Sequence, residues 1–78
     1  METVADRLRR LRAERYVSQA ELAEQSGVGA ATIARIELGM VKPRAGTVRK
    51  LAQALEVKPA ELMTPAELLD RRSGKDAA

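Results

Sequence analysis

The chain has 78 residues, a formal charge of +3 and neither Cys nor His, which bounds it to one small domain and removes disulfides, thiolate or imidazole nucleophiles and the usual zinc ligands. No catalytic residue, metal or cofactor is expected. Leu, Val, Ile and Ala supply nearly all of its 45% hydrophobic content, Tyr16 is the one aromatic residue, and no apolar run reaches the length of a signal or membrane-spanning segment, so a cytoplasmic protein with no membrane partner is expected.

The periodicity is helical from end to end. Val4, Leu8 and Leu11 recur at i, i+4, i+7, which gathers them on one face of a first helix over about 3–15; Arg7, Arg9, Arg10 and Arg15 fall on its other face. Ser18-Gln19-Ala20-Glu21 has the form of a capping box and predicts a second helix, ending near Ser26 because Gly27 takes the left-handed conformation at low cost. A third helix spans about 29–38 and closes at Gly39. Its positions Ile33, Ile36 and Glu37 share one side, since 3.6 residues per turn align positions three and four apart. Ala31, Ala34, Arg35 and Leu38 then point away. Met40 to Pro43 form a loop. Val48, Leu51, Ala52 and Leu55 mark a fourth helix with a weak start at Arg44 and Gly46, and Pro59 with Glu61 predicts a short fifth helix ending near Met63. Thr64-Pro65-Ala66-Glu67 combines a Thr cap, Pro at the first helical position and an acid at the third, so a sixth helix runs from about Pro65 to Arg72. Residues 1–63 are read as the domain and 64–78 as an extra helix and frayed tail; Leu68 and Leu69 either fold back or meet a second chain.

Charge is unevenly placed. From Arg35 to Lys50 five basic residues (Arg35, Lys42, Arg44, Arg49, Lys50) face one acid, Glu37, a local excess of +4, and the rest of the chain sums to −1. A solvated face is the plain reading; a polyanion partner is the functional one.

SQAELAEQSGV, then TIARIELG, Pro43 and LAQALEV together resemble the helix-turn-helix domain of the phage repressor and Cro-like (XRE) family, over about Leu8 to Met63. The resemblance implies an all-α, five-to-six-helix, lambda-repressor-like domain that binds double-stranded DNA sequence-specifically. In this geometry the second helix of the pair enters the major groove. Carried onto this sequence, it makes Gln19 and Thr32 phosphate contacts, places Gly29, Ala30, Ala31, Ala34 and Arg35 at base-reading positions, and turns Lys42 and Arg44 towards phosphates or the minor groove. It also pairs Arg12 with Glu37 in a partly buried salt bridge. Three positions depart from the family pattern: Gly29 stands where Ser or Thr usually caps the recognition helix, Tyr16 where Gly is common, and Leu38 where a polar residue is usual. On this reading the chain is a small transcriptional regulator, a repressor, and its size suggests a homodimer on a pseudo-palindromic site. The alternative is a protein-interaction module, an antitoxin or a co-activator adaptor, using the same apolar face.

Overall fold

The computed structural model describes residues 1–68. Four α-helices follow one another, α1 (Val4–Glu14), α2 (Gln19–Ser26), α3 (Ala30–Glu37) and α4 (Ala45–Leu55), then a single 3-10 turn at Pro59–Glu61 and a helical segment at 65–68. No strand occurs among the described residues. None of these helices is long and apolar enough to cross a membrane. The proposed end of the last helix near Arg72, Leu69 and the tail lie outside the described residues.

Helix starts follow local side-chain chemistry. Thr3 and Asp6 form a capping box on α1, and Ser18 and Glu21 form one on α2, where Glu21 N donates to Ser18 Oγ at 3.0 Å and Ser18 N to Glu21 Oε1 at 2.8 Å. Each box satisfies two amides that lack a carbonyl one turn back. Thr64 and Glu67 repeat the device, with Thr64 N donating to Glu67 Oε1 at 2.8 Å. At Gly29 and Arg44, ahead of α3 and α4, no side chain caps the helix. The fifth element is shorter than the sequence suggests. Leu62 N and Met63 N both donate to Pro59 O, and both side chains are buried. Tightening to 3-10 geometry and leaving the helix after one turn is what drives two successive apolar side chains into the core.

The core is a single aliphatic cluster in which Leu8, Leu22, Ile33, Ile36, Leu51 and Leu55 are almost fully inaccessible. α3 packs on α1 and α2, and α2 also packs on α4. With no aromatic side chain inside, helices approach through small residues. Half-buried Ala23 on α2 and buried Ala52 on α4 belong to this cluster and its margin. Leu68 packs against the same core, so of the two fates open to it the chain folds it back. Arg7 fixes that segment: its guanidinium donates to Leu62 O at 2.8 Å and to both Glu67 oxygens at 2.8 and 3.3 Å. The arginine face of α1 is therefore an anchoring face. Arg9 donates to the backbone carbonyl of Glu37 and Arg15 to that of Leu55, cations placed on the exposed carbonyl ends of α3 and α4, where the helix dipole favours them.

Helix ends carry one avoidable cost. After α1 the amides of Tyr16 and Val17 return to Ala13 O and Arg12 O, and after α4 those of Glu56 and Val57 return to Gln53 O and Ala52 O. The pattern needs a left-handed residue, and Tyr16 (φ 55°) and Glu56 (φ 59°) occupy that position. Side-chain-bearing residues are disfavoured there by about 1–2 kcal/mol, offset in part by the greater unfolded-state freedom of Gly, about 0.5–1 kcal/mol. Tyr16→Gly and Glu56→Gly are each expected to stabilise the fold by roughly 0.5–1 kcal/mol. Tyr16 is 94% exposed, so little packing is lost. Urea unfolding of the two variants checks this, and unchanged or lowered stability in both contradicts it.

Candidate nucleic-acid interface

The α2–turn–α3 unit is set by three adjacent residues. Gly27 adopts φ 78° and its amide closes α2 on Ala23 O at 2.9 Å; Ser26 Oγ accepts from Val28 N at 3.1 Å. Val28 is buried, so the turn is plugged into the core and α3 leaves it at a fixed angle. At the far end Gly39, with φ 76°, lets its own amide reach Ile36 O and that of Met40 reach Arg35 O.

Between these ends α3 divides as helical geometry requires. Ile33, Ile36 and Glu37 are buried, whereas Gly29, Ala30, Ala31, Arg35 and Leu38 are exposed and Thr32 and Ala34 half-exposed. All five positions expected to read bases thus lie on the outer side of one helix or at its margin. The surface is low. A Cβ added at Gly29 meets only Thr32 Oγ1 at 3.8 Å, and φ there is −61°, so neither space nor conformation demands glycine. What glycine and alanine provide at this edge is close approach of the α3 backbone to whatever lies against it.

One carboxylate organises the inner side. Glu37, 4% exposed, accepts from Arg12 Nε at 2.7 Å and Arg12 Nη2 at 3.0 Å. Its Oε1 also accepts from Gln19 Nε2 at 2.9 Å. Arg12 Nη1 donates in addition to Val17 O at 3.0 Å. A single buried group thereby ties α1, the segment entering α2, the first residue of α2 and the end of α3. Burial pushes the Glu37 carboxyl up, but the Arg12 and Gln19 hydrogen bonds and the Arg12 and Arg9 charges outweigh it and hold the group below its ordinary value. Gln19, expected at a phosphate, stands at the start of α2, where helix amides and dipole favour an anion. Its side-chain amide is held from behind by Glu37. That link is not legible in residue types, because the two residues are 18 positions apart and nothing local connects them.

The structure therefore brings Arg12, Gln19 and Glu37 together, leaves Gly29, Ala30, Ala31 and Arg35 exposed on the outer side of α3 with Ala34 at its margin, and sets Lys42 and Arg44, both exposed, on the stretch that follows α3. Among the described residues no group of three or more acidic, His or Cys side chains is placed to hold a metal ion.

Comparison with known proteins identifies the family of the chain. The helix-turn-helix family matches residues 8–62. The chain is similar to the HTH-type transcriptional repressor RghR of Bacillus subtilis (strain 168), with 42% identity over 71 residues covering 90% of this chain and 53% of that protein. It is similar to the cryptic phage CTXphi transcriptional repressor RstR of Vibrio cholerae, with 40% identity over 63 residues covering 81% of this chain and 57% of the relative. An HTH-type transcriptional regulator of Sinorhizobium fredii, y4dJ, is 36% identical over 64 residues covering 82% of this chain and 83% of that protein. The chain spans little more than half the length of the two repressors. No solved structure gives a significant match. The match over most of the chain, on a fold that presents α3 behind an α2–turn hinge, places this protein in the XRE-type helix-turn-helix family.

Proposed function

We propose that this chain is the sequence-specific DNA-binding domain of a small transcriptional repressor that reads the major groove of double-stranded DNA with α3 and binds as a homodimer. The observation that carries the reading is the outer side of α3, with Gly29, Ala30, Ala31 and Arg35 exposed, followed in the chain by a basic stretch and backed by the buried Glu37 hub. Its relatives carry the names of transcriptional repressors and regulators, which favours this reading over a protein-interaction module.

Each residue has a chemical role in it. Ala30, Ala31 and Ala34 present methyl groups that pack against thymine methyls, and Arg35 pairs with O6 and N7 of a guanine. Gly29 leaves room for the helix to sit deep. Gln19 and Thr32 meet phosphates, and Lys42 and Arg44 meet phosphates or enter the adjacent minor groove, fixing register without carrying sequence information.

Affinity for duplex DNA is expected to fall steeply with salt, because each cation that meets a phosphate releases condensed counterions. Lys42→Ala and Arg44→Ala should weaken specific and non-specific sites alike and each reduce the slope of log K against log salt by about 1. Anisotropy titrations over a salt series measure both. Slopes identical to wild type in both variants would remove these residues from the interface.

A further inference from the structure

We infer that Leu38 is a further base-reading residue, whose side chain packs against the 5-methyl group of a thymine in the major groove. This rests on the DNA-binding reading above and assigns a contact that the reading leaves open.

Helical geometry puts Leu38 in line with the residues already assigned to bases. It follows Ala31 by seven residues, which turn the helix through roughly 700°, about 20° short of two full turns. Leu38 therefore lies two turns along from Ala31, in a direction between those of Ala34 and Arg35. The regular helix reaches this far: Leu38 has φ −88° and ψ −1°, and its amide donates to Ala34 O at 3.0 Å. The roll of α3 is fixed at the same level, because the neighbouring Glu37 is buried against Arg12 and its carbonyl accepts from Arg9. Leu38 is consequently held outward, 73% exposed. Met40 and Val41 are exposed too, but they follow Gly39, whose φ of 76° takes the chain off the helix, so they do not continue this stripe.

The chemistry of the side chain selects what it can meet in the groove. Guanine, adenine and cytosine present donors and acceptors there, which a butyl group would strip of water without replacing the hydrogen bond, whereas thymine presents a methyl group. An unsatisfied base edge is costly, so an exposed leucine on this stripe both rewards thymine and penalises the other bases. Leu38 stands ~10 Å along the axis from Ala31, the length of about three base steps at ~3.4 Å each. Its contact thus falls on a different base pair from those facing Ala30 and Ala31, and the stretch of sequence read by α3 is longer than the alanines and Arg35 alone provide.

The test uses the duplex enriched by selection from random DNA, together with versions in which each thymine in turn is replaced by uracil, which removes only the methyl group. Wild type should lose about three- to fivefold in affinity when the thymine facing Leu38 is replaced, the effect of one buried methyl. Leu38→Ala should bind the thymine duplex more weakly by at least that factor, be indifferent to uracil at this one position, and respond to uracil elsewhere as wild type does. Its unfolding temperature should be unchanged, since the side chain is exposed. Equal loss by the variant on all the duplexes would make Leu38 a backbone contact, and full affinity in the variant would place it outside the groove, against solvent or another protein; either overturns the inference. The uracil scan of wild type needs no variant, and a scan in which no thymine methyl matters overturns it as well. A folded wild type that enriches no duplex overturns the DNA reading and this contact with it, whereas an enriched duplex without a Leu38-dependent thymine overturns this contact alone.

Discussion

Arg12→Met is expected to cost roughly 3–5 kcal/mol of folding stability, the penalty of leaving a buried carboxylate without its charged partner. Glu37 is 4% exposed, and Arg12 supplies two of the three side-chain donors to it, at 2.7 and 3.0 Å. The loss is a large share of the ~5–15 kcal/mol that holds a domain folded. The hub also positions α3 and Gln19, so DNA affinity falls as well, without Arg12 touching DNA. A double-mutant cycle with Glu37→Gln, read by urea unfolding, isolates the interaction. Strictly additive losses would show that the pair does not interact. The same group sets a pH response. A carboxyl held below its ordinary value of 4.5 contributes stability that is fully present above that value and is given up as pH falls through the lower folded one. Glu67, held down by the Arg7 hydrogen bond, adds to the loss in the same window. Wild type should therefore weaken progressively below about pH 4.5, and Arg12→Met less steeply, because much of what acid removes is already gone. Stability that stays level down to about pH 3 contradicts this.

Arg35→Ala is expected to cost about 1–3 kcal/mol on the preferred DNA site and to relax preference at one base pair, the signature of a lost bidentate contact. Arg35 is exposed on α3 among alanines that offer no hydrogen-bonding side chain, so one position should carry most of the polar discrimination. A uniform loss over all sequences would demote it to a phosphate contact. The stability of the variant should be near that of wild type, since Arg35 lies outside the core and the Glu37 hub.

Much of the fold was legible because its signals are local. The Ser18–Glu21 box, Gly27 and Gly39 each act within one turn of their own position, so the limits of α2 and the close of α3 follow from residue type alone. The division of α3 into a buried side with Ile33, Ile36 and Glu37 and an outer side with Ala31, Arg35 and Leu38 follows from helical period. What the sequence concealed is long-range or conformational. Arg7, Arg9 and Arg15 resemble a solvated stripe, yet their targets, Glu67 and the carbonyls of Leu62, Glu37 and Leu55, lie 28 to 60 residues away, and a flexible guanidinium carries no mark of its destination. Tyr16 and Glu56 adopt left-handed geometry for which their residue types give no cue. Pro59 and Glu61 suggest a longer helix than the 3-10 turn that forms, because only the packing of Leu62 and Met63 shows where the chain must leave it. At the candidate interface, position along the chain could name Gln19 and Glu37 separately, but their hydrogen bond is a product of the fold.

The most direct measurement of the central claim, sequence reading by α3, is selection of bound sites from random duplex DNA with the folded protein. An enriched motif in which a guanine and neighbouring thymines recur is expected, with Arg35→Ala degenerate at the guanine and unchanged elsewhere. Recovery of no motif, or no duplex binding by demonstrably folded protein even at low salt, would contradict it.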